Sequence, residues 1–159
     1  MKKIALLMIL FLMSALAEDI EITSKNFEAD EKKLISIFTK DVHIKKGKDK
    51  IDAQKVIVYF DKKRKPVKYE AIKNVKFFIV LDNNKTYEGK AQKIIYLPNS
   101  KEYIFEKDVF IVQMPDQRKI YGEKIVVNKS SGKAKVEGSE TKPVKFIFKV
   151  EENSTKAKK

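Results

Sequence analysis

This sequence predicts an all-β fold built from repeats, and three observations predict it. Apolar residues recur at every second position, two short motifs each appear four times, and no window carries apolar residues at a sustained helical spacing. The first motif is a small residue, two polar residues, then apolar, any and usually apolar. Its copies begin at Ser24, Ala53, Ala91 and Gly122 and carry Phe27, Val56 with Val58, Ile94 with Tyr96, and Ile125 with Val127. The second motif is lysine, a polar residue or proline, valine, any, apolar. Its copies begin at Lys40, Lys73, Lys107 and Lys142 and carry Val42 with Ile44, Val75 with Phe77, Val109 with Ile111, and Val144 with Phe146.

The offset from the small residue to the valine is 18, 22, 18 and 22. Chance pairing would seldom give that regularity, so the chain reads as four units of at least two strands each. Turn chemistry falls between the apolar runs, at Lys46-Gly47-Lys48-Asp49, Leu81 to Lys85, Pro98 to Lys101 and Ser130 to Lys133, with a charged connection from Asp61 to Pro66. Asp30 to Lys33 is polar enough for another turn. A unit of this kind cannot close its own apolar face, so neighbours must stack to bury a shared interior. Such a stack leaves two edges of unpaired backbone, and neither end of the sequence shows an obvious cap. Joining through two different edges gives open head-to-tail chains.

The ends of the chain read differently. Lys2 and Lys3, the apolar run Ile4 to Met13 and the small residues of Ser14-Ala15-Leu16-Ala17 form an export leader, with cleavage expected after Ala17. An apolar run of this length is too short to cross a bilayer, which needs about twenty residues. From Glu151 to Lys159 the sequence is polar and basic and reads as a disordered tail. The region between is one domain of residues 18–150.

Composition removes several function classes. With no cysteine and one histidine, His43, the chain lacks the ligands for a zinc or thiol centre, and no cofactor is implied. His43 lies in an alternating strand and reads as an outward-facing residue, so no serine has a credible base. Acid pairs such as Asp49 with Asp52, or Glu151 with Glu152, sit in no setting that would tune them for acid–base work. The five glycines are scattered, so no phosphate-cradling loop exists. The chain reads as a non-enzyme. Its net charge of +13 argues for an anionic partner, and export disfavours nucleic acid.

The ordered series of a Gly/Ala-x-Lys-apolar strand followed by a Lys-Asp-Val-x-apolar strand, four times over residues 18–150, resembles the LptA (OstA-like) family of periplasmic lipopolysaccharide-transport proteins. That resemblance implies a folded-over, twisted antiparallel β-jellyroll, open at both ends, with an apolar groove for the acyl chains of lipid A. It implies a bridge between inner and outer membranes, made by end-to-end joining with an LptC-like inner-membrane protein, an LptD-like outer-membrane protein and further copies of the chain. An LptC-like role would keep a longer anchoring helix, and a basic β-repeat holding an anionic envelope polymer would bind through its surface. The short leader favours the LptA-like role.

The physical problem such a protein solves is solvation. One twelve-carbon chain exposed to water costs on the order of 10 kcal/mol, so free diffusion of a multi-chain lipid is negligible. The expected groove residues are the alternating positions named above: Phe27, Val42, Ile44, Val56, Val58, Val75, Phe77, Ile94, Tyr96, Val109, Ile111, Ile125, Val127, Val144 and Phe146. The recurring Lys40, Lys73, Lys107 and Lys142 are expected along one rim or one end of the strands, as contacts for lipid phosphates.

Overall fold

The computed structural model describes residues 18–152. The expected leader, with its cleavage point, and the tail from residue 153 onward lie outside the described residues.

Among the described residues ten strands form a single antiparallel sheet: β1 (Ile20–Thr23), β2 (Asn26–Asp30), β3 (Ile35–Lys46), β4 (Asp49–Phe60), β5 (Pro66–Val80), β6 (Thr86–Leu97), β7 (Glu102–Met114), β8 (Arg118–Asn128), β9 (Ala134–Glu137) and β10 (Lys145–Ile147). From β3 to β8 each strand pairs with the next in sequence, and short turns suffice because neighbours run in opposite directions. β1 and β2 pair with successive parts of β3, and β9 and β10 with successive parts of β8. Each edge is therefore one strand broken in two.

The two sequence motifs explain the break. In β3, β5 and β7 the motif pairs Lys40-Asp41, Lys73-Asn74 and Lys107-Asp108 all have positive φ, between 49° and 72°. Each pair faces a single residue of the following strand, Gln54, Gln92 or Glu123, so each is a bulge. Asp and Asn suit this conformation because their short polar side chains tolerate the left-handed region. On the facing strands, alternation slips by one at the same place: the buried residues run Ile51, Ala53, then Val56, Val58. That slip is why the first motif carries two polar residues in succession.

The bulges align across the sheet, and the strand breaks at Ser24-Lys25 and at 138–144 continue their line. Along it the sheet folds over, so that its two halves face each other. Phe77 of β5 and Phe105 of β7, which are not on neighbouring strands, meet with ring centroids 4.5 Å apart across the interior. In its first three copies the valine of the second motif pairs with a small residue of the first, Val42 with Ala53, Val75 with Ala91, and Val109 with Gly122. Small side chains are needed there because the inside of a corner has the least room. At Gly89 a Cβ would lie 1.9 Å from the Phe110 carbonyl oxygen, so the backbones approach too closely for any side chain.

The expected all-β, folded-over, open antiparallel sheet is the architecture observed. Two placements differ from expectation. Lys40, Lys73 and Lys107 lie in the middle of their strands, on the outside of the corner, rather than at a strand end, because the bulge dictates their position, and Lys142 lies in the turn between β9 and β10. Val144 lies on no strand. Pro143 before it lacks an N–H, and the segment instead closes a turn through Ser139 N–H donating to the Lys142 carbonyl at 2.8 Å.

Candidate functional site

Side chains on the inner face line up into apolar rows that cross the whole sheet. In one half the row runs Phe27, Phe38, Val56, Ala71, Ile94, Phe105, Ile125, Val136, each residue the register partner of the next. In the other half it runs Ile22, Ile44, Ile51, Phe77, Gly89, Ile111, Ile120, Phe146. The middle of each row is sealed: Phe105 and Ile111 are fully buried. The rims are open. Phe27 is 62% exposed at the first edge, packed against Phe38 with centroids 5.0 Å apart, and Phe146 is 47% exposed at the last, beside Phe148.

Twelve of the expected groove residues, Val42, Ile44, Val56, Val58, Val75, Phe77, Ile94, Tyr96, Val109, Ile111, Ile125 and Val127, are buried in this one interior. Phe27 and Phe146 extend it to the edges, whereas Val144 stands apart and is 45% exposed. The motifs did not reveal Phe38, Ile51, Ala71 or Phe105. Carrying the two-residue alternation outward from each motif would have found Phe105, two positions before Lys107, and Ala71, two before Lys73.

On the side away from the corner, polar groups hold the two halves together. Asp49 is almost fully buried at the start of β4. Its Oδ1 accepts from Val80 N–H at 2.9 Å, while Oδ2 accepts from the Tyr103 hydroxyl at 2.7 Å and from Lys129 Nζ at 2.6 Å. The Asp82 N–H donates to the Lys129 carbonyl at 3.2 Å, adding a second link between the same margins. Burial, with the Asp49 carboxylate beside it, pushes the Tyr103 hydroxyl far above the usual phenol range, so it stays a donor. Lys46 lies over the Tyr96 ring, 5.4 Å from its centroid. Burial alone would lower the Lys46 pKa, but Tyr96 and Glu18 outweigh it and the ammonium is held above its ordinary value. Outside this seam lies a cleft of about 900 Å³, lined by Lys46, Lys48, Lys101 and Lys129 with Asp49 and Asp82.

The recurring lysines do not converge. Lys40, Lys73 and Lys107 are exposed along the corner, and Lys142 is spent on Asp108 and Glu123, joining the last turn to the bulge of β7. His43 faces outward with Nδ1 2.6 Å from Asp52 Oδ1. Among the described residues no three His, Cys, Asp or Glu side chains come together as a metal site, and no helix is long and apolar enough to cross a membrane.

A family model described as LptA/(LptD N-terminal domain) LPS transport protein matches residues 21–133, from β1 to the turn after β8. The chain belongs to this LPS transport family. Its placement there makes it a transport protein and not an enzyme. The fold of this LPS transport protein is similar to that in the crystal structure of LptH, the LptA homologous periplasmic component of the lipopolysaccharide transport device from Pseudomonas aeruginosa. The TM-score is 0.72 at 15% identity, covering 84% of this chain and 96% of that one. No protein of curated function matches the sequence. In this LPS transport protein, the family match covers every bulge of the corner and most of both apolar rows, and stops before β9 and β10.

Proposed function

We propose that this protein carries lipopolysaccharide across the periplasm by taking lipid A acyl chains between the two halves of its sheet. The observation that carries the reading is the pair of apolar rows running from edge to edge and ending in the exposed Phe27 and Phe146. A row of near-uniform apolar character offers a chain similar free energy at each step, so it can slide without being trapped. Chains between the halves replace the contacts that Phe77 and Phe105 make with each other.

The edges supply continuity. Among the described residues, β1 with β2, and β9 with β10, each pair on one side only, so each presents unpaired backbone groups to a further strand. The two edges differ in sequence, so joining is head to tail, between copies of this chain or with an LptC-like protein at the inner membrane and an LptD-like protein at the outer. Lipid phosphates and sugars stay outside in water, where the corner lysines Lys40, Lys73 and Lys107 offer charge without fixed geometry.

Depleting the protein in cells while following newly made lipopolysaccharide tests this role. Newly made lipid should accumulate at the inner membrane, and arrival at the outer membrane at the normal rate would contradict it.

A further inference from the structure

The outer faces of the two sheet halves differ in charge. In the half holding Phe105, three of the outer lysines have acid partners, Lys68 and Lys93 reaching Glu70 at 3.8 and 2.8 Å and Lys135 reaching Glu137 at 3.0 Å, while Lys55 and Lys124 have none within 4.0 Å among the described residues. The other half is unlike it. Two register rows cross its outer face, one through His43, Asp52, Lys76, Lys90, Phe110, Tyr121 and Lys145, the other through Lys45, Lys50, Phe78, Glu88, Val112 and Lys119. Its six lysines are exposed, and among the described residues none has an acid within 4.0 Å.

Two of these lysine pairs sit directly opposite each other on neighbouring strands, Lys45 with Lys50 and Lys76 with Lys90. Like charges in that relation destabilise a sheet. Asp52 is occupied by His43, which leaves Glu88 and Glu21 as the other acids of the face. Beside the lysines, Phe110 and Tyr121 form an outward aromatic pair with centroids 4.8 Å apart, and Lys145 lies over the Tyr121 ring. Tyrosine and phenylalanine on a polar face suit the boundary between water and lipid, where a ring is half buried and a hydroxyl stays wet.

We propose that this outer face docks on an anionic phospholipid surface. A face of ammonium groups with no carboxylate partner matches an array of headgroup phosphates, and contact relieves the repulsion between the facing lysines. Phe110 and Tyr121 sit at headgroup level in that pose. The apolar interior stays free, because docking uses the opposite face of the sheet, and the contact does not depend on transport.

Co-sedimentation of the whole exported chain with vesicles tests the assignment, using phosphatidylcholine alone and phosphatidylcholine with phosphatidylglycerol. The chain should sediment with the anionic vesicles only, and added salt should release it. The double variant Lys76→Glu with Lys90→Glu should bind at least about tenfold more weakly, as should Lys119→Glu with Lys145→Glu. Lys32→Glu with Lys55→Glu, an equal charge change on the other half, should bind like the parent, and circular dichroism should show all three folded. Equal binding to both vesicle types, no binding to either, or an equal loss in the Lys32 and Lys55 variant overturns the proposal. So does binding of soluble phosphorylated oligosaccharide without vesicle binding, which assigns the face to a glycan.

Discussion

The Tyr103 hydroxyl donates a 2.7 Å hydrogen bond to Oδ2 of Asp49, 54 residues away in sequence and on the opposite half of the folded sheet. The same carboxylate oxygen accepts from Lys129 at 2.6 Å, so one buried acid joins three strand ends along the seam.

Removing the hydroxyl in Tyr103→Phe should cost about 1.5–3 kcal/mol in urea unfolding, the net worth of a hydrogen bond to a charged group. Asp49→Ala should cost about 3–5 kcal/mol, because it strands the partly buried Lys129 ammonium as well. The double variant should cost less than the sum, since both changes remove the same contact.

The corner makes a prediction of its own at Asn74, where φ is +50°. Asn74→Val should lower stability by roughly 1–2 kcal/mol, because a branched side chain crowds the following carbonyl in that conformation. Asn74→Gly should be close to neutral. Thermal unfolding of the two variants separates backbone strain from loss of the side chain.

Gly89→Ala should destabilise by about 1–3 kcal/mol, since the added methyl meets the Phe110 carbonyl and the two strands must part. Urea unfolding measures the loss, and a normal midpoint would show that β6 and β7 are less tightly joined than the geometry indicates.

Much of this fold could be read from the residues. The two-residue alternation gave the strands, and the recurring motifs gave the repeat, because both follow directly from which side chains must be buried. The corner was less visible. Lys-Asp-Val and small-polar-Lys motifs look like two independent strand signatures, yet they are two sides of one bend, and only pairing of Val75 with Ala91 brings them together. The position of the recurring lysines was also hard to read: in Lys40, Lys73 and Lys107 the regularity follows the positive φ of the bulge, which puts them in mid-strand along the corner. Asp49 gave no sign of its burial, since its partners Tyr103 and Lys129 lie far along the chain. The contrast between the two outer faces was equally hidden, because it depends on which strands lie side by side.

Glu70 gives a pH dependence. Burial would raise its pKa, but hydrogen bonds from Lys93 and Tyr59 and the charges of Lys93 and Lys68 outweigh it, so the carboxyl is held below its ordinary value. A depressed folded-state pKa favours the native state above the unfolded value of 4.5, and that contribution is lost as pH falls through the lower folded value. Glu70→Gln should therefore be less stable than the parent at neutral pH and show a smaller decline on acidification below about pH 4.5. Unfolding midpoints across the acid range check both parts.

The most direct test of the lipid path uses a photo-activated crosslinker in cells at Phe77 and at Phe105, whose rings face each other in the interior, with the outward Lys76 as reference. Lipopolysaccharide should be labelled from both interior positions and not from Lys76. Labelling from Lys76 alone, or from none of the three while transport continues, would contradict passage between the two halves of the sheet.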